Sequence, residues 1–249
     1  MRHLLTRAGE AALAAVMARQ PVLGFDFDGT LAPLVERPPL AWMSDSTIAR
    51  LRHLAARHPI VVISGRAAGD VRARLCEIPV AGVTGNHGLE PWGATPEIEE
   101  RVQGWARVLV ERFGRLPGIE FENKRWSLTV DYRHVPDLEH TGRQLTSFAR
   151  QLPGCRVLGG RHADLNLAPA GEHHKGTALQ RHLQLLERPT AMYVGDDRTD
   201  EDAFAQPIEG LLSVRVGHKT GSRAQYFLNE QPEIDVLLDR LLAFPPSTR

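Results

Sequence analysis

Short, unbroken apolar runs recur along the chain. Val22, Leu23, Gly24, Phe25 and Phe27 form one, bounded by Pro21 and Gly29. Runs of this length without polar alternation predict strands buried on both faces of a parallel sheet. Pro59–Ile63, Val80–Thr84, Thr190–Val194 and Leu211–Val216 repeat the pattern. Between them, apolar residues recur at helical spacing. Helices are predicted over Ala8–Arg19, from Ser44 or Asp45 to about Arg57 (Ile48, Leu51 and Leu54 on one face), over about Ala67–Leu75, over Lys175–Leu186, over Asp200–Ala205 with Thr199 as cap, and over Glu233–Leu242. Strand, helix, strand in this rhythm predicts an α/β fold on a parallel sheet.

The middle of the chain breaks the rhythm. A helix over Glu97–Arg115 leads to two strands, Ile119–Asn123 and Trp126–Arg133, then a helix over Asp137–Leu152 and two more strands, Cys155–Leu158 and Asp164–Leu167. Ser127 to Tyr132 alternates polar with apolar, as a half-solvated antiparallel strand does. The expected organisation is an α/β core of residues 1–96 and 170–249, interrupted by an inserted α+β unit of residues 97–169.

Composition narrows the class. The 249 residues suffice for one large domain or two modest ones with a real core. Lys plus Arg and Asp plus Glu number 30 each, so the formal net charge is zero. A nucleic-acid binder would carry a basic excess, so no nucleic-acid partner is expected. No apolar run approaches the ~18 residues of a membrane span, so no membrane partner is expected either. The first twenty residues carry arginines and no continuous apolar segment, which does not read as a signal peptide. Cys76 and Cys155 lie far apart and match no metal spacing; they read as reduced thiols of a cytoplasmic protein.

In an open parallel sheet, ligands bind at the carboxyl ends of the strands, and four such places carry chemistry. Asp26 and Asp28 interrupt the first apolar run. Burying an unpaired charge is costly, a cation is the natural compensation, and hard carboxylate oxygens suit Mg²⁺. Gly29-Thr30 then opens a turn whose N–H groups suit phosphate oxygens. Ser64-Gly65-Arg66 ends the second run, Lys175 opens the helix after the insert, and Asp196-Asp197 ends the fourth run. Each has a plainer reading alone: solvated strand-end acids, an N-cap serine, a solvated lysine, helix caps. Their occurrence together, in one order around one insert, points to a site.

That series, DFDGT, SGR, Lys175-Gly176 and GDDRTDED, resembles the four motifs of the haloacid-dehalogenase-like (HAD) phosphatases, which have a Rossmann-like core. The resemblance implies Asp26 as a nucleophile forming an aspartyl-phosphate and Asp28 as general acid/base. It implies Mg²⁺ held by Asp26, Asp196 and the Asp28 backbone carbonyl. Phosphate would be bound by Gly29, Thr30, Ser64, Gly65 and Lys175. Behind the metal, Asp197 would pair with Lys175 and Asp200 would hold a metal-bound water.

Within the superfamily, DFDGTLAPL, VVISGR, GNHGLE and GDDRTDEDAF are similar to trehalose-6-phosphate phosphatases, and the likeness covers nearly the whole chain, including ENKRWSLTVDYR of the insert. It implies hydrolysis of trehalose 6-phosphate and a functional link to a trehalose-6-phosphate synthase. The insert would act as a lid that excludes water and sets specificity, gripping the sugar with Glu122, Lys124 and Arg133. Arg66, Asn86, His87 and Gly88 would face the sugar from the core, and Asn166 from the insert. Two places depart from the family pattern. Asp131 stands where a histidine is usual, and Asn166-Leu167-Ala168-Pro169 replaces Glu-hydrophobic-Arg-Pro. Sugar hydroxyls are read by directional hydrogen bonds, so a different sugar or glycosyl phosphate, a phosphomutase, and a non-catalytic sugar-phosphate-binding regulator stay open.

Overall fold

The computed structural model describes residues 1–159 and 163–246. They form two compact units, Met1–Gly88 with His174–Arg249, and Leu89–His173. Residues 89–96 and 170–173 therefore group with the inserted unit.

In chain order the elements begin with β1 (Arg2–His3), α1 (Arg7–Met17), β2 (Val22–Phe25), α2 (Asp45–Ala55), β3 (Ile60–Ile63), α3 (Ala68–Arg74) and β4 (Gly82–Thr84). The inserted unit follows with α4 (Pro96–Phe113), β5 (Glu120–Asn123), β6 (Leu128–Asp131), α5 (Leu138–Ala149), β7 (Cys155–Gly159) and β8 (Asp164–Pro169). The chain then returns through α6 (Lys175–Leu185), β9 (Ala191–Gly195), α7 (Glu201–Phe204), β10 (Leu212–Val216), β11 (Tyr226–Leu228) and α8 (Glu233–Leu242).

Seven strands of the first unit form one sheet in the order β1-β11-β10-β9-β2-β3-β4, all parallel. The unbroken apolar runs follow from burial on both faces. Leu23, Phe25, Ile60, Val62, Met192, Val194 and Val214 join Leu13, Val16, Leu51, Leu54, Leu237 and Leu241 in one hydrophobic cluster. On the opposite face, Gly24 lies under the Tyr193 ring and Leu179 of α6; a Cβ there would come 2.7 Å from Tyr193 Cδ2. Ser44 caps α2, its hydroxyl oxygen accepting from Thr47 N–H at 3.1 Å. Two short strands, β1 at the edge and β11 beside it, extend the sheet beyond the predicted set.

The second unit is a four-stranded antiparallel sheet, β5-β6-β8-β7. Leu128, Val130, Leu165 and Leu167 turn one face onto Val102, Trp105 and Leu109 of α4 and Leu145 and Ala149 of α5. Thr129 and Asp131, on the other face, are half-buried.

Candidate active site

The strand order reverses between β2 and β9: β3 and β4 continue to one side of β2, and β9 to β11 lie on the other. A ligand crevice is expected outside the carboxyl ends at such a switch point. Asp26 follows β2 there, and Asp196 follows β9. Asp26 is 4% exposed. Its Oδ1 accepts from the Phe27 N–H at 2.7 Å and its Oδ2 pairs with Lys175 Nζ at 2.8 Å. Lys175 is the first residue of α6, whose cap is His174: Nδ1 accepts from the Gly176 and Thr177 N–H groups. A cation at a helix N-terminus opposes the helix dipole. Two carboxylates offset this, because Lys175 Nζ also pairs with Asp200 Oδ1 at 2.9 Å.

Asp200 is the hub. Oδ1 accepts from Lys175 and from the Tyr193 hydroxyl at 2.8 Å; Oδ2 accepts from the N–H groups of Asp196 at 3.0 Å and Asp197 at 2.8 Å. A carboxylate has about four lone-pair sites, and these four bonds use them. The ion pair expected between Asp197 and Lys175 is therefore made by Asp200, and Asp197 supplies a backbone N–H. Thr199 does not cap α7, as the sequence suggested. The residue at the cap is Asp200, and its side chain makes no cap bond because it turns back to the Asp196-Asp197 loop. Arg215 of β10 holds that loop from below, donating to the Asp196 and Asp197 carbonyls and to Glu201.

Oxygens of Asp26, Asp196 and Asp200 lie within 4.8 Å of one another, all buried. Burial, and the charges of Asp200 and Asp196, push the Asp26 carboxyl well above its ordinary range, with Lys175 pulling it down. Burial opposes the Lys175 charge, but Asp200 and Asp26 overcome it and keep the ammonium protonated. Tyr193 likewise stays a donor, its pKa raised by burial and by Asp200. Three buried acids against one lysine leave room for more positive charge. An all-oxygen donor set suits a hard divalent cation such as Mg²⁺. With Asp200 saturated, Asp26 and Asp196 are the side chains that fit as its ligands. Gly29, at φ +77°, makes room: a Cβ there would meet Asp196 Oδ2 at 1.8 Å.

Asp28 is engaged differently from expectation. Arg66 grips it with two parallel bonds, Nε to Oδ2 and Nη2 to Oδ1, both 2.7 Å. Arg66, expected to face a sugar, thus has a carboxylate of its own chain as partner. Its Nη1 donates to Asp70 at 2.8 Å, and Asp70 also accepts from Arg74 Nε at 3.0 Å. Burial works against the Arg66 charge, and Asp28 and Asp70 outweigh it and raise its pKa. Asp70 is drawn below the usual carboxylate range by Arg66 and Arg74 despite partial burial.

The Ser64 turn is braced from β4. Ser64 Oγ accepts from the Arg66 N–H at 3.2 Å, His87 N–H donates to the Ser64 carbonyl at 2.9 Å, and Asn86 N–H to that of Arg66 at 2.7 Å. A Cβ at Gly65 would lie 2.4 Å from His87 Cε1. Asn86 and His87 both sit at positive φ, and Gly88, at φ +113°, packs on the His174 backbone. Thr30 Oγ1 is buried with no hydrogen-bond partner, which suits a turn awaiting a polar ligand.

The remaining predicted residues belong to the second unit. Glu122 and Asn166 both register with Thr129, forming a polar row across β5, β6 and β8. Thr129 Oγ1 donates to Asn166 Oδ1 at 2.6 Å, and Asn166 Nδ2 to Asp164 at 2.9 Å. Lys124 lies 3.6 Å from Glu122, and Arg133 pairs with Asp131 at 2.8 Å.

Tyr193, Arg215, Asp70 and Arg74 are the site residues that the motifs do not signal. Each acts through contacts distant in sequence or outside the four strand ends.

Among known proteins, the chain is 35% identical to a trehalose-phosphate phosphatase of Mycobacterium tuberculosis, over 76% of this chain and 52% of that one. It thus spans about half the length of that curated relative. A solved C-terminal domain of the C. albicans trehalose-6-phosphate phosphatase shares the fold, at a TM-score of 0.74 and 23% identity over 98% of this chain and 99% of that one. A Bacteroides thetaiotaomicron phosphatase of the HAD superfamily does so at a TM-score of 0.58 and 16% identity, over 95% and 97%. The trehalose-phosphatase family model matches residues 24–232, taking in the DFDGT, SGR, Lys-Gly and GDD stretches, and the chain belongs to the trehalose-phosphatase family.

Proposed function

We propose that the protein hydrolyses trehalose 6-phosphate to trehalose and phosphate through an aspartyl-phosphate on Asp26. The observation that carries this is the Asp26 carboxylate, buried at the switch point, oriented by a backbone N–H and by Lys175, in a chain of this family.

Phosphoryl transfer needs an in-line nucleophile, neutralised equatorial oxygens and a proton for the leaving group. Asp26 attacks phosphorus. Lys175 balances charge beside it, and Ser64 and the Gly29-Thr30 and Gly65 N–H groups suit phosphate oxygens. Mg²⁺, bound by Asp26 and Asp196 with the Asp28 carbonyl, would supply further charge neutralisation. Asp28 gives a proton to the departing sugar oxygen and takes one from the water that hydrolyses the aspartyl-phosphate. Asp200 and Arg215 hold the Asp196 loop and Lys175 in place. Glu122, Lys124, Arg133 and Asn166 of the inserted unit bind sugar hydroxyls, that unit serving as lid.

Purified protein is assayed for phosphate release from a panel of sugar phosphates, with and without Mg²⁺. The expected result is Mg²⁺-dependent turnover with preference for trehalose 6-phosphate, abolished in Asp26→Asn. Equal weak turnover of every sugar phosphate removes the substrate assignment. Phosphate transfer between sugar positions without release makes the protein a mutase. Undiminished activity in Asp26→Asn removes the mechanism.

A further inference from the structure

Asp28 sits at the end of a ladder of alternating charges. Arg66 binds Asp28 by two parallel bonds, Asp70 binds Arg66, and Arg74 binds Asp70. Arg74 in turn donates to the Ala41 carbonyl and, at 3.3 Å, to that of Pro39. Its guanidinium lies 4.8 Å from the centre of the Trp42 ring. Arg66 and Arg74 are buried, with side chains 10% and 7% exposed. Asp70 and Arg74 are one turn apart on α3, which places them in register for an i,i+4 pair. Among the described residues neither bonds to Asp26, Lys175 or Asp196, and no motif of the chain includes them.

A planar guanidinium bound bidentately fixes both the position and the plane of a carboxylate. It does so only if its own orientation is fixed. Asp70 holds Arg66 Nη1 at 2.8 Å. Asp70 is itself held between two arginines. The ladder therefore ties the orientation of Asp28 to α3 and to the segment around Pro39–Trp42.

We propose that Asp70 and Arg74 are positioning residues for proton transfer by Asp28, acting through Arg66. This rests on the acid/base role given to Asp28 above. In the first half-reaction the bond from Asp26 to phosphorus forms while the bond from phosphorus to the sugar oxygen breaks, and that oxygen takes the proton from Asp28. In the second, water attacks the aspartyl-phosphate, phosphate leaves, and Asp28 receives the proton of that water.

The test is leaving-group dependence. A sugar oxygen is a poor leaving group and needs the proton; p-nitrophenolate does not. Values of kcat/KM, which report the chain of steps up to aspartyl-phosphate formation, are measured for trehalose 6-phosphate and p-nitrophenyl phosphate in the wild type, Asp28→Asn, Asp70→Ala, Asp70→Glu and Arg74→Met, with thermal melts of each. For Asp70→Ala and Arg74→Met the expected result is a fall of about 10-fold or more with the sugar phosphate but under about 3-fold with the aryl phosphate, since general acid catalysis contributes about 10²–10⁴ in full. Asp70→Glu recovers part of the loss by restoring the carboxylate. Equal falls with both substrates, or no fall, overturn the positioning role; equal falls accompanied by a lowered melting temperature assign the ladder to folding alone. If Asp28→Asn itself shows no leaving-group effect, the acid/base reading fails first. If Asp28→Asn shows it and Asp70→Ala does not, the ladder inference alone fails.

Discussion

On the parallel sheet, Asp200 is completely buried and accepts four hydrogen bonds, and Lys175 beside it is 2% exposed. On the antiparallel sheet, Glu122 has a side chain 61% exposed and stands 3.6 Å from Lys124. The first arrangement is over-determined: each group is fixed by several others, and a change in one reaches all. The second is a half-solvated row of polar side chains. Buried charge networks are sensitive to the removal of a single member, whereas exposed pairs contribute little to stability. Chemistry assigned to the first place and selectivity assigned to the second should thus respond to mutation in different currencies, one in turnover and folding, the other in substrate affinity.

The largest effect is expected at Asp26. Asp26→Asn lowers turnover by about 10³-fold or more, as loss of a covalent nucleophile does. Burial and neighbouring acids raise the Asp26 pKa, so its ionised form costs folding free energy at neutral pH. The asparagine variant therefore melts no lower than the parent in EDTA and gains less from added Mg²⁺; a clear loss of melting temperature in EDTA would show that the pairing with Lys175 outweighs the cost of burying the charge. Asp200→Ala strips the partner from Lys175, the Tyr193 hydroxyl and two N–H groups. It is expected to cost about 3–5 kcal/mol in chemical denaturation along with activity.

A third effect appears on acidification. His182 of α6 is buried, its Nε2 2.8 Å from Thr84 Oγ1, and burial lowers its pKa to about 4 from the usual 6.5. The folded state thus prefers the neutral ring. That preference contributes stability above pH 6.5, which is lost as pH falls towards 4, by up to about 3 kcal/mol. His182→Gln should flatten that limb of a urea-midpoint profile against pH; an unchanged limb refutes the assignment. The smallest free-energy change is expected in the antiparallel unit. Asn166→Ala and Arg133→Ala raise KM for the sugar phosphate about 10-fold while altering stability by less than about 1 kcal/mol. A large drop in folding stability at either would erase the difference between the two units.

The strands and the acids that end them were legible because a strand buried on both faces leaves a continuous apolar run, and ionisable groups stand out at its end. The inserted unit was legible from the change to alternation around Ser127–Tyr132. Strands β1 and β11 were not: two and three residues carry no period to detect, and their pairing joins opposite ends of the chain. At Thr199 the helix-cap signal misled, because Asp200 is recruited by two backbone N–H groups behind it. Arg66 looked like a ligand-facing cation because no spacing rule reveals that its partner is Asp28, 38 positions earlier. Tyr193 looked like one more apolar strand residue. Its hydroxyl reaches Asp200 because the adjacent strand offers Gly24 under the ring.

The packing of Gly88 on His174 has a consequence for how such a chain can change. These two residues are where the polypeptide departs from and rejoins the parallel-sheet unit, and they touch. The whole of Leu89–His173 is inserted between these two residues. The entropy cost of closing a loop rises only slowly with its length, by about 0.6 kcal/mol per doubling, so the intervening segment can be exchanged as a cassette, shortened or replaced by a brief linker, without stretching the parallel-sheet unit. On the proposed function, chimeras spliced at this point exchange sugar recognition while leaving the groups around Asp26 where they stand.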